Sequence, residues 1–191
     1  MLASLCQIWR KALSLGVLTG SIVLLSTLDP STERVQGADH GTAPALYTVC
    51  DLKQMNTCQL EALFASSSPG QMPSGWVPGE LLILTDFPMP RLSESLARRY
   101  WQGKHIEPDG SFINQFKYKQ RFPSKAVIGP SLYDEKPAIV MAYPSGTPVF
   151  GNIRDEFREV SPGLYLGRIY STAKCPRFLG FMYLRQAGCC R

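Results

Sequence analysis

The chain has 191 residues, 45% of them hydrophobic, which is room for one domain of ordinary size and a short appendage. Its formal charge of +5 is modest, and its lysines and arginines come singly or in pairs such as Arg98-Arg99. Runs of about five or six that would mark a nucleic-acid footprint are missing, so nucleic acid is not an expected partner.

Met1 to Arg34 differs in character from the rest. After Arg10-Lys11, residues 12–28 carry no charge and then meet Asp29-Pro30, a pair that ends helices. Small residues follow around Gly37 and Ala38. Residues 1–37 therefore read as a signal peptide or, if uncleaved, as a membrane anchor, because 17 uncharged residues reach the lower bound for crossing a bilayer. Either reading predicts an exported protein, periplasmic, secreted or anchored, that meets a membrane only through this segment. Beyond it lie Cys50, Cys58, Cys175, Cys189 and Cys190, which an oxidising compartment would pair in disulfides, with Cys50 and Cys58 placed for a local bridge and one thiol of the five, from Cys189-Cys190, left free or paired between chains. The two histidines, His40 and His105, and the cysteine spacings give no zinc pattern, so no metal and no cofactor is expected.

Residues 38–51 read as a flexible lead-in to a single domain over 52–191. Leu52, Met55, Leu60, Leu63 and Phe64 loosely share one helical stripe, predicting a helix over 52–64. A breaker-rich loop over 65–75 leads to a short strand at Glu80–Leu84. Ser93 is the N-cap of a second helix that ends at Tyr100, with Arg98-Arg99 suiting its C-terminal dipole.

From Trp101 the pattern is strands. Trp101–Ile106 and Ser111–Phe116 flank the turn Glu107-Pro108-Asp109-Gly110, and strands follow at 126–129, 138–143, 152–160, 164–170 and 178–184. Fifteen prolines and sixteen glycines supply the turns between them. A sheet of seven or eight short strands closes or packs on a second layer, and closure removes exposed edges. The fold class is therefore mainly β, an antiparallel meander closing into a barrel with two short N-terminal helices plugging or bracing one end.

Trp101-Gln102-Gly103-Lys104 with Asn114, and the run from Arg154 to Gly167 with its Pro162-Gly163-Leu164-Tyr165-Leu166-Gly167 segment, resemble a small uncharacterised bacterial family. That family is similar in plan to lipocalin-like (calycin) barrels, in which a Trp near the first strand and a basic residue near the last brace the closed end. The resemblance extends over 62–184, although Arg99 stands where the lipocalin pattern has glycine before its Trp. It implies a barrel and a small ligand, not an activity.

The chemical oddity is the strand over 152–160. Arg154, Glu156 and Arg158 share one parity, and Asp155, Phe157 and Glu159 the other, so charges lie on both faces. They must be paired inside, line a cavity, or sit at the rim. Asp155 and Glu159 are about 13 Å apart at roughly 3.3 Å per residue, too far for a paired acid and base. Asp155 could instead join a tyrosine hydroxyl, Tyr143 or Tyr165, in proton transfer, while Arg154 and Arg158 are expected to pair with Asp155, Glu156 or Glu159. The candidate ligand-binding residues are Trp101, Tyr143, Phe157, Tyr165, Arg154 and Asp155. Lys104 could meet an anionic ligand head, but is expected to be exposed, as lysines on strands commonly are, and His105 solvated. The expected partner is a small apolar ligand. The alternatives are an isomerase or lyase on the same barrel, and a structural protein whose barrel is filled. No serine sits in a G-x-S-x-G elbow, and Cys175 has no catalytic context, so nucleophilic hydrolysis is not expected.

Overall fold

The computed structural model describes residues 46–85, 100–148 and 150–186. The expected signal or anchor, all of the second predicted helix except Tyr100, and Cys189 and Cys190 lie outside them. No helix among the described residues is long and apolar enough to cross a membrane.

Helices α1 (Val49–Gln54) and α2 (Thr57–Ser66) precede strands β1 (Gly75–Leu84), β2 (Trp101–Ile106), β3 (Ser111–Phe116), β4 (Lys119–Pro130), β5 (Pro137–Ala142), β6 (Ile153–Ser161), β7 (Leu164–Ser171) and β8 (Arg177–Arg185). Each strand pairs antiparallel with the next, and β8 returns to β1, so the eight-stranded meander closes. Mainly β architecture, closed barrel and two short helices agree with the expectation from sequence.

The predicted helix over 52–64 is two helices. Thr48 caps α1 and Asn56 caps α2, each in a reciprocal capping box, with Asp51 and Gln59 reaching back to the capping residue's own backbone N–H. Both helices lie on the outer wall, not in a barrel end: Leu52, Leu60, Leu63 and Phe64 pack with Leu164, Leu166, Phe181 and Tyr183. This explains why β7 reads as an almost unbroken apolar run. Its inward face meets the barrel core and its outward face meets the helices, so Leu164 to Tyr170 are all buried. Cys50 and Cys58 are exposed on separate helices, and the expected bridge between them is not formed.

The β6–β7 hairpin turns through Pro162-Gly163. Pro162 suits the second position of a type II turn, and Gly163 supplies the positive φ, +71°, that the third requires. Strand β4 starts earlier than its apolar centre suggests because its first half is largely exposed and interrupted by a register shift opposite Phe112 and Asn114.

Inside the barrel, the half nearest the β2–β3, β4–β5 and β6–β7 turns is packed solid by residues such as Val77, Ile106, Ile139, Phe157, Tyr165 and Leu184. The other half is not.

Candidate functional site

A cavity of about 100 Å³ occupies that second half. Leu81 and Leu84 from β1, Phe116 from β3, Phe150 and Ile153 at the start of β6, Ile169 from β7 and Met182 from β8 wall it, and Trp101, Lys104, Asn114, Tyr143 and Asp155 supply its polar side. Phe116, Phe150 and Phe122 stack at the mouth, with ring centres 4.7–6.4 Å apart. Phe122 holds φ of +60°, a conformation uncommon for a bulky residue, and it does so at the β4 irregularity.

Lys104 is the centre of the polar group. Trp101 and Lys104 are three positions apart, so on a regular strand they would face opposite sides. A bulge between Trp101 and Gly103 shifts the register, and both side chains point inward. Gly103 has φ of +140°, and a Cβ there would collide with the Val77 carbonyl, so this bulge requires glycine. The expected exposed lysine is therefore corrected: Lys104 is 1% exposed. His105 faces outward instead and stacks on Trp76 with centroids 5.0 Å apart.

The ammonium of Lys104 donates to Asn114 Oδ1 at 2.9 Å, Tyr143 Oη at 2.8 Å and Asp155 Oδ2 at 3.2 Å, which satisfies its three protons. Trp101 Nε1 donates to the same Asn114 oxygen at 3.0 Å, and Asn114 Nδ2 donates to Tyr143 Oη at 2.9 Å. Tyr143 Oη lies 3.5 Å from Asp155 Oδ2. The rings of Trp101, Phe112 and Tyr143 surround the cation at 4.9–5.6 Å. One atom is left over. Asp155 Oδ1 is buried and has no hydrogen-bond partner among the described residues.

Burial pushes the Asp155 carboxyl above its ordinary value, against the pull of Lys104. The same burial lowers the Lys104 amine, which Asp155 opposes, and raises the Tyr143 hydroxyl. Desolvation and attraction thus oppose one another within a single ion pair.

Of the six candidate residues, Trp101, Tyr143 and Asp155 line this cavity. Phe157 and Tyr165 face the same interior within the solid half, where Tyr165 Oη donates to the Gln71 carbonyl at 2.7 Å. Arg154 is on the outer face, pairing with Glu156 at 2.6 Å. Asp155 is thus brought to Tyr143 and not to Tyr165. Sequence reasoning missed the burial of Lys104 and the mouth residue Phe116, and the signal for the former was Gly103 inside a strand.

The remaining charges of β6 are structural. Arg158 pairs with Asp134 of the β4–β5 loop rather than with a β6 neighbour, at 2.6 and 2.9 Å in a bidentate fork. Glu156 also accepts from Ser131 Oγ and the Leu132 amide. Glu159 accepts from the Gly163 and Gln71 amides, fixing the turn and the preceding loop. Arg168 lies among Tyr133, Phe178 and Phe181 at 4.2–5.1 Å. No cluster of three or more metal-ligating side chains occurs among the described residues.

No protein-family model matches the sequence. No curated protein matches it either. Among solved structures, a protein from Thermomonospora curvata is similar, with 15% identity and a TM-score of 0.45 over 69% of this chain and 88% of that one.

Proposed function

We propose that the protein is an exported, lipocalin-like binding protein that holds a small, mainly apolar ligand inside its barrel. The observation that carries this is the cavity itself, with almost wholly aliphatic and aromatic walls backed on one side by a group of hydrogen-bonded polar residues, as suits a small apolar molecule. Its volume, about 100 Å³, favours a compact ligand, since about 150 Å³ holds benzene. Export is supported by the uncharged run at 12–28. Native and denaturing mass spectrometry of protein secreted into an oxidising compartment tests the reading. A discrete added mass that is lost on denaturation supports it, and protein that neither retains a small molecule nor takes up small apolar compounds overturns it.

A second reading uses the same residues for proton transfer, as an isomerase or lyase. It is favoured by the 3.5 Å approach of Tyr143 Oη to Asp155. Under that reading Asp155→Asn abolishes turnover and leaves the fold intact.

A further inference from the structure

The two ends of the barrel differ in charge. At the solid end, the β2–β3 and β4–β5 turns carry Glu107, Asp109, Asp134 and Glu135 against Lys136. At the cavity end, the β3–β4 turn and the first residues of β4 carry Lys117, Lys119 and Arg121, and the β7–β8 connection carries Lys174 and Arg177. The β5–β6 loop beside them has no charged residue. All these cations of the cavity end are exposed. Lys117, Lys119, Arg121 and Lys174 have no carboxylate within ion-pair distance among the described residues. The sequence joining β1 to β2 adds Arg91, Arg98 and Arg99 against Asp86 and Glu94, so it does not cancel this charge.

The same end also exposes aromatic rings. Strand β5 pairs with β4 only from Lys125 onward, so the earlier part of β4 pairs with β3 alone and the β3–β4 hairpin overhangs its neighbour. Tyr118 at the hairpin tip is 75% exposed, with the Tyr100 ring 6.4 Å away and the Lys117 ammonium 5.2 Å over its own ring. Tyrosines set among lysines and arginines suit the surface of a bilayer, where the rings sit at headgroup level and the long cationic side chains meet the phosphates.

We propose that the cavity end of the barrel docks on an anionic lipid bilayer, with Tyr118 and Tyr100 in the headgroup layer and Lys117, Lys119, Arg121 and Lys174 over its phosphates. The acidic turns of the opposite end orient the molecule the same way, because an anionic surface repels them. A dissolved polyanion would meet the cations and leave the tyrosine rings in water. Docking sets the phenylalanine-lined mouth against lipid, which gives an apolar molecule a path into the cavity that does not cross water. That path rests on the reading of the cavity as a ligand site; the docking itself does not.

The full chain is floated with vesicles of phosphatidylcholine alone or mixed equally with phosphatidylglycerol. Binding to the anionic vesicles is expected to be about tenfold or more tighter at about 0.1 M salt, with the difference lost at about 1 M. Lys117→Gln, Lys119→Gln and Arg121→Gln together should remove that preference. Lys53→Gln, Lys125→Gln and Lys136→Gln together take the same charge from elsewhere on the surface and should leave most of it. Tyr118→Trp reports the contact directly: on anionic vesicles its added emission should shift to the blue and be quenched by brominated lipid.

Equal losses in the two triple variants overturn the proposal, because net charge and not the mouth then directs binding. An unshifted, unquenched emission in Tyr118→Trp overturns it even where the chain floats, since an uncleaved N-terminal segment can hold a vesicle by itself. Heparin bound as tightly as the anionic vesicles, without that emission shift, overturns it in favour of a dissolved polyanion. None of these results bears on whether the cavity is filled, which the retained mass decides.

Discussion

Arg158 commits all five of its N–H donors: two to Asp134, and one each to the carbonyls of Phe64, Lys136 and Pro137. Its guanidinium also lies 4.5 Å from the Phe64 ring, so one side chain ties β6 to the end of α2 and to the β4–β5 loop. Arg158→Ala would leave Asp134 with the Lys136 amide alone and the Phe64 and Lys136 carbonyls with only the Ser67 and Ser131 amides, and is expected to destabilise the fold by about 2–4 kcal/mol, measured by urea unfolding. Arg154→Ala leaves Glu156 its Ser131 and Leu132 donors, so a smaller loss of roughly 1–3 kcal/mol is expected. Unchanged urea midpoints in both variants would sink this account. The sequence showed that charges lay on both faces of this strand and had to be paired. It could not show that Arg158 would find Asp134, because a partner 24 residues away depends on how the β4–β5 loop folds back.

At the level of the element, strand periodicity predicted β2 and β3 to the residue, since short alternating runs between firm turns leave little choice of register. It failed where a single glycine resets the alternation. Gly103 does this in β2 and moves Lys104 from the expected surface to the core, and Gly180 does it in β8, opposite the Ile169–Tyr170 irregularity. Gly167 in β7 plays a different part. Its φ needs no glycine, but a Cβ there would overlap the Phe157 ring and come within 2.9 Å of Met182 Cγ. Phe157 thus packs its ring against Gly167 of β7, within the solid half of the barrel. Gly167→Ala should cost about 1–3 kcal/mol by overpacking, and should displace the Phe157 ring. A variant with wild-type stability and unchanged Phe157 ring resonances in NMR spectra would show that this contact is slack.

Across the whole molecule, two aspartates set opposite dependences of stability on pH. Hydrogen bonding to Arg158 holds Asp134 below the ordinary carboxylate value of 3.8, so its contribution is full above that value and is lost as pH falls through the lower folded one. Asp51, hydrogen-bonded to Thr48, and Asp109, hydrogen-bonded to Ser111, are lowered too and act in the same direction. Asp155 acts in the other direction. Burial raises its folded pKa above 3.8, so the fold takes up its proton more readily than the unfolded chain does, and stability is gained as pH falls from the raised value toward 3.8. Stability is therefore expected to rise as pH falls from the raised value toward 3.8 and to fall below about pH 3.8. Asp155→Asn should flatten the rise and keep the fall, while Asp134→Asn should lower stability throughout and make the acid fall shallower. Urea midpoints measured from pH 7 down to pH 2 read both limbs. A monotonic loss of stability from neutral pH in the wild type would mean that Asp155 is as readily ionised in the fold as in water, and the cavity's polar side would then be wet.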